Sequence, residues 1–251
     1  MNVKYFLFLI LINVIFYTGN SYAEESNSIT PIYSVYTNAI PGLLNEDMTG
    51  AFVELNNEIS KRAKINLVLN IIPPKRLRSS FHKKEVDIVF PMLTSSFDKG
   101  FIYYRSSAFY VKKDFVYTLK RKTLVSTMKQ LEMAKGTIGL TRGYSYPEKL
   151  LSNSKLSFDY SPGDNQNMLK LTKNRITSLI VEEVSGIHAA KKTKVQGLVQ
   201  YDPKTPLFTQ DVFYAFQAKP SLIKVKNAIS KAINEMKADG TLKKILRKLQ
   251  P

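Results

Sequence analysis

The sequence predicts an α/β fold in two sets of elements, on three observations. Short β-like runs alternate with helix-like patterns along the chain, which argues for layered sheet and helices. The alternation restarts near residue 115. No run of Gly, Pro and Ser separates the two sets, so extended strands rather than a flexible tether are expected to join them. Periods of 20–50 residues are absent, which excludes a solenoid.

In the first set, "PIYSVY" reads as a strand and "GAFVELNNEISKRA" as a helix with Phe52, Leu55, Ile59 and Ala63 on one face. "INLVLNII" is a second strand, and Pro74 opens the short helix "PKRLRSSFHKK". "VDIVF" is a third strand, bounded by Pro91. In the second set, "DFVYTL" leads into the helix "LVSTMKQLEMA", and the strand "TIGLT" into "YSYPEKLL", with Pro147 in the opening turn. "LSFDY" precedes "NQNMLKLTKN", and "TSLIVEE" precedes "VSGIHAAKK". After the strand "DVFYAFQ" come two closing helices, "SLIKVKNAISKAINEMKA" and "TLKKILRKL", separated by Asp239-Gly240. The expected division is one lobe from 24–115 plus 213–251 and a second from 116–212.

Residues 1–23 read as a cleavable signal peptide. Lys4 supplies the positive n-region, "YFLFLILINVIFY" the apolar h-region, and Ser21 and Ala23 the small residues before the cut. That apolar run is short of the roughly 20 residues a membrane span needs. A soluble protein exported to the periplasm is expected, with a retained N-terminal anchor as the alternative. The chain has no cysteine, which removes disulfides and thiolate chemistry.

The formal charge is +17, with 29 lysines and 8 arginines. These are scattered along the chain without a nucleic-acid-binding module, so no nucleic-acid partner is expected. The basic balance fits a solvated surface, attraction to an anionic membrane face, or steering of anionic ligands.

Ligands of open α/β sheets sit beyond the carboxyl ends of strands, where loops lead into helix N-termini. The segments at those places therefore nominate the site. Tyr36 lies at the end of the first strand, and Arg76 opens the helix after the second. "PMLTSSFDK" follows the third and carries Thr94, Ser95, Ser96 and Lys99. In the second set, "TIGLT" is followed by Arg142, Gly143, Tyr144 and Ser145, and "TSLIV" by Glu182 and Glu183. Hydroxyls, cations and helix-start amides suit an anion. A carboxylate across the gap suits an ammonium. Together they predict a clamp for a small zwitterion.

The pieces "TGAFVEL", "EVDIVFPMLTSSFDK", "GTIGLTRGYSY", "NRITSLIVEE" and above all the helix–Asp-Gly–helix ending "INEMKADGTLKKILRK" give the chain a resemblance. From Ile32 to about Leu249 it resembles the family 3 extracellular solute-binding proteins, the periplasmic receptors of polar amino-acid ABC transporters. The resemblance implies a type II periplasmic-binding-protein fold, two α/β lobes joined by two crossover strands and closing on a ligand. It places Thr94 at the hydroxyl that holds a ligand α-carboxylate, and Gly143, Tyr144 and Ser145 on the turn reaching the same group. Glu182 falls at the acid, usually aspartate, that takes the ligand amine. Lys99 stands where the family has arginine, offering a point charge instead of a fork. Arg76 and Arg142 are the candidates to supply the missing fork. Pro91 and Met92 replace the usual hydroxyl or small residues.

The implied partners are a small-molecule ligand and an inner-membrane ABC transporter permease, with the protein itself a monomer. Two alternatives share the fold. One is a periplasmic cyclohexadienyl-type dehydratase, with Glu182 or Glu183 as general acid. The other is a receptor for a membrane sensor without transport. Other chemistry finds little support. His82 and His188 are the only histidines, and with no cysteine and no His/Glu spacing on a helix no transition-metal site is expected; neither a phosphate loop nor G-x-G-x-x-G is present, so no cofactor is expected. "GYSYP" approaches a nucleophile elbow, but Pro147 replaces its second glycine and no acid-then-histidine pair follows.

Overall fold

A computed structural model describes residues 30–97 and 100–248. The expected signal peptide and Lys99 lie outside the described residues.

Strands β1 (Ile32–Thr37), β2 (Asn66–Ile71) and β3 (Ile88–Leu93) alternate with helices α1 (Ala51–Ala63) and α2 (Pro74–His82). A short strand β4 (Tyr103–Arg105) and the long β5 (Tyr110–Leu119) follow. Next come α3 (Met128–Ala134), β6 (Thr137–Thr141), α4 (Glu148–Leu151), β7 (Ser157–Ser161), α5 (Asp164–Thr172), β8 (Ser178–Glu182) and α6 (Glu183–Lys192). The two-residue β9 (Val199–Gln200), the long β10 (Phe208–Gln217), α7 (Ile223–Ala238) and α8 (Thr241–Arg247) are the last elements of the described residues.

The sheet runs β2-β1-β3-β10-β5-β8-β6-β7, with β4 on β10 and β9 on β5. Its middle explains the two-part architecture. β5 and β10 are antiparallel over Tyr110–Asp114 and Phe208–Val212. Beyond that stretch each continues alone. β5 pairs with β8 from Asp114 to Tyr117, and β10 pairs with β3 from Val212 to Phe216. These two strands are therefore the crossovers that join the halves. The sequence marked only their apolar ends, because the crossing stretch of β5, "YVKK", is too polar to read as a strand.

Strand alternation fills a core on each face of each half. In β3 and β10, Ile88, Phe90, Val212, Tyr214 and Phe216 face the buried cluster under α1, α7 and α8. Val89, Met92, Phe213 and Ala215 face the opposite cluster with Leu77 and Phe81 of α2. In the second half, Phe115, Tyr117, Leu179 and Val181 pack against α5 and α6. Val116 and Ile180 turn to Leu131 and Leu150 on the other side. Two buried polar side chains in the first of these clusters are matched: the Tyr214 hydroxyl donates to Asn56 Oδ1 at 3.0 Å, and Asn56 Nδ2 donates to the Leu67 carbonyl at 3.0 Å.

Three local expectations change. β3 continues through Pro91, whose peptide bond with Phe90 is cis, to Leu93. Pro147 caps α4 from outside rather than sitting in its first turn. Glu183 is the first residue of α6, not the last of β8, because Glu182 is the cap. Before α1, Gly50 has φ 115°, and a Cβ there would lie 2.5 Å from the Leu43 carbonyl oxygen, so only glycine fits that entry.

Candidate functional site

The cleft forms where the C-terminal ends of β3, β6 and β8 face each other beside the crossover strands. It encloses about 110 Å³. One wall is apolar, with Phe52, Leu77, Met92 and Val212 among its lining residues.

Glu182 sits at its floor, 2 % exposed. The residue ends β8 and caps α6, so its carboxylate oxygen Oε2 accepts from the Ser185 N–H at 2.8 Å. The other oxygen accepts from the Tyr110 hydroxyl at 2.8 Å. Burial pushes the carboxyl pKa up, while the Ser185 N–H, the Tyr110 hydroxyl and the charge of Lys112 pull it back. The strand register sets Asp114 of β5 directly opposite Glu182. Asp114 is 1 % exposed, one oxygen pairs with the Lys112 ammonium, and Oδ2 has no partner. A third buried acid, Asp164, begins α5, accepts from the Thr141 hydroxyl, and takes a 3.0 Å hydrogen bond from the Tyr144 hydroxyl. Burial raises its pKa too, against the pull of Thr141 and Tyr144. The hydroxyls of Tyr110 and Tyr144 are pushed above the ordinary phenol value, chiefly by burial, and so remain donors.

Among the described residues, two hydrogen bonds cross the mouth. Arg78 Nη1 of α2 donates to the Gly143 carbonyl at 2.6 Å. The hydroxyls of Ser96 and Ser145 meet at 3.1 Å. Gly143 has φ 90°, and a Cβ on it would approach Pro74 at 3.8 Å, so this turn lies flat against the start of α2. The jaws are in contact. Replacing Arg78 by alanine removes a charge-assisted bond worth about 1.5–3 kcal/mol. The ratio of closed to open molecules is then expected to fall roughly 10- to 100-fold, visible as a larger radius of gyration in small-angle scattering. An unchanged radius would show that the bond does not hold the jaws.

Of the residues nominated from sequence, Gly143, Tyr144, Ser145 and Glu182 meet in this cleft. Ser96, from the same strand-end run, joins them. Five others do not line it. Thr94 is exposed, because the 3-10 turn over Thr94–Ser96 carries the first residue outward and the third inward. Ser95 is half-buried, with an unpartnered hydroxyl. Tyr36 packs against the Leu77–Phe81 cluster, since β1 places it over that face of the sheet. Arg76 is exposed, on a helix whose buried face is set by Leu77, Ser80 and Phe81. Arg142 is exposed and bonds the Tyr160 carbonyl at 3.3 Å, toward the β7 edge. Lining residues that sequence reasoning missed are Arg78, Tyr110 and Lys112. Period-two spacing from Asp114 would have put Tyr110 and Lys112 on its face, had the strand been extended back. Among the described residues no group of acids and histidines could hold a metal ion, and no helix is long and apolar enough to cross a membrane.

Two α/β halves, two antiparallel crossover strands and a cleft at the strand ends define the type II periplasmic-binding-protein class. The chain belongs to the bacterial extracellular solute-binding proteins, family 3, whose model matches residues 41–250. No sequence among the curated proteins matches it. Three solved structures are similar in fold at low identity. One is the GluR0 ligand-binding core from Nostoc punctiforme in complex with L-glutamate, with 14% identity, TM-score 0.70, and coverage of 87% of this chain and 99% of that one. Another is a histidine kinase sensor domain similar to periplasmic binding proteins, with 12% identity, TM-score 0.73, and coverage of 88% and 96%. The third is an amino acid ABC transporter substrate-binding protein from Streptococcus pneumoniae bound to L-arginine, with 16% identity, TM-score 0.66, and coverage of 87% and 94%.

Proposed function

We propose that the protein captures a small amino acid, or a related carboxylate with an amino group, between its lobes and delivers it to a membrane permease. One observation carries this reading. Glu182 lines the cleft with buried Asp114 directly opposite it on β5 and paired to the Lys112 ammonium, while buried Asp164 sits behind the lining residue Tyr144, so the floor favours an added positive charge. At the mouth, Arg78, Ser96, Ser145 and the Gly143 turn supply donors suited to an anion. Phe52, Leu77 and Met92 leave room for an apolar side chain between those ends. Lobe 1 comprises 24–115 plus 213–251 and lobe 2 comprises 116–212, a division supported by the partner exchange of β5 at Asp114 and of β10 at Val212. The protein works as a monomer, exported to the periplasm after removal of residues 1–23.

Binding is favoured over turnover. Both Glu182 oxygens already accept hydrogen bonds, from the Ser185 N–H and the Tyr110 hydroxyl, and these favour the ionised, accepting form over a proton donor. Prephenate and arogenate should therefore be returned unchanged. A sensory role is the second reading, supported by the histidine kinase sensor domain among the similar folds. Thermal-shift measurements across the twenty amino acids and a set of organic acids test the main reading. At ligand concentrations of about 100 times Kd, a true ligand adds about 2.7 kcal/mol of stability, or roughly 5–11 °C at this chain length. Amino acids that leave the transition where it was, while simple dicarboxylates raise it, would overturn it.

A further inference from the structure

The pole of the second half that faces away from the cleft carries a dense array of cations. β6 and β8 present their C-terminal ends to the cleft, so the segments entering them gather at the opposite end with the far end of β5. There β5 passes into exposed Lys120, Arg121 and Lys122. α5 closes on exposed Lys173 and Arg175. α6 closes on exposed Lys191, Lys192 and Lys194. Hydrogen bonds tie these ends into one surface. The Lys120 N–H donates to the Leu198 carbonyl at 2.9 Å, Arg121 Nη2 to Asn174 Oδ1 at 3.1 Å, and Gln200 Nε2 to the Lys122 carbonyl at 2.9 Å. The neighbouring helix α3 adds one acid, Glu132, already held by Asn153 and Lys155. Leu198, beside Lys120, is 56 % exposed.

We propose that this pole docks the protein on an anionic membrane surface. The cations sit on three separate chain ends around a protruding leucine. A broad sheet of phosphates can neutralise all of them, whereas a compact anion reaches only a few. An exposed leucine amid lysines suits the boundary between headgroups and acyl chains. Docking by this end leaves the cleft uncovered, so surface residence and ligand capture are compatible.

Flotation of the full-length chain with vesicles tests this. Vesicles of neutral phosphatidylcholine are compared with vesicles containing about 30% phosphatidylglycerol, in about 0.1 M and about 1 M salt, where screening lengths are about 10 and 3 Å. The readout is the anionic-to-neutral binding ratio, so any contribution of the N-terminal apolar run is common to both. The triple variant Lys120→Glu, Arg121→Glu, Lys122→Glu is expected to lower that ratio at least tenfold in low salt. The charge-matched control Lys224→Glu, Lys237→Glu, Lys243→Glu, on α7 and α8, is expected to lower it less than about threefold. Leu198→Ser is expected to lower the bound fraction on anionic vesicles severalfold in low salt while changing the anionic-to-neutral ratio little. If the first triple proves unstable in thermal melting, Lys191→Glu, Lys192→Glu, Lys194→Glu takes its place against the same control. Equal losses in both triples, no preference for anionic vesicles, or pole-dependent binding to soluble polyglutamate without vesicle binding would overturn the proposal.

Discussion

Replacing Glu182 by alanine is expected to lower affinity for the best amino-acid ligand by about 30- to several-thousand-fold. Removing one member of a buried, hydrogen-bonded charge pair costs about 2–5 kcal/mol, and each 1.4 kcal/mol is tenfold. The variant also loses the cap on α6 and leaves the Ser185 N–H and Tyr110 hydroxyl without their acceptor. Glu182→Gln separates the two effects. Its amide oxygen still accepts one hydrogen bond, so melting temperature should recover while affinity stays low. Titration calorimetry on both variants checks this, and full affinity in the glutamine variant would remove Glu182 from ligand recognition. The same group sets a pH dependence. Because burial lifts its pKa above the ordinary 4.5, the folded protein holds the proton to higher pH than the unfolded chain does. Stability without ligand should therefore fall as pH rises from about 4.5 through the raised value and then level off. Affinity for an ammonium ligand should rise across that interval, as the carboxylate ionises. Asp164, lifted in the same direction, adds a similar slope that remains in the Glu182→Gln variant.

The largest loss of stability is expected at Phe90. The ring is fully buried, with centroids 4.3 Å from Tyr214, 5.2 Å from Phe109 and 5.8 Å from Phe52. Truncation to alanine removes the ring and leaves a cavity between the sheet and α1, costing about 3–5 kcal/mol. Against a total of about 5–15 kcal/mol, this lowers the melting temperature by roughly 6–20 °C. A loss below about 1 kcal/mol would mean that the cluster collapses around the gap. Because Phe90 does not line the cleft, folded Phe90→Ala protein should keep its ligand affinity.

The sequence alone settled the alternation of strands and helices and the place of the glycine turn before Ser145. It also put an acid at the end of β8. These are local matters: apolar periodicity, proline and glycine positions, and the residues directly after each apolar run. The choice of arginine was not local. Arg76 and Arg78 stand two apart on one helix, roughly 200° around its axis, and only the docking of Leu77 and Phe81 turns Arg78 toward Gly143. Tyr110 and Lys112 were likewise hidden, because the polar stretch of β5 becomes strand only when β10 supplies its ladder. Thr94 and Ser96 are chemically alike in sequence, and a single 3-10 turn sends one outward and the other into the cleft. Local pattern thus fixed which segments border the site. Which side chains enter it was decided by long-range strand pairing and by the packing of α2, which orient each backbone segment before any side chain can point.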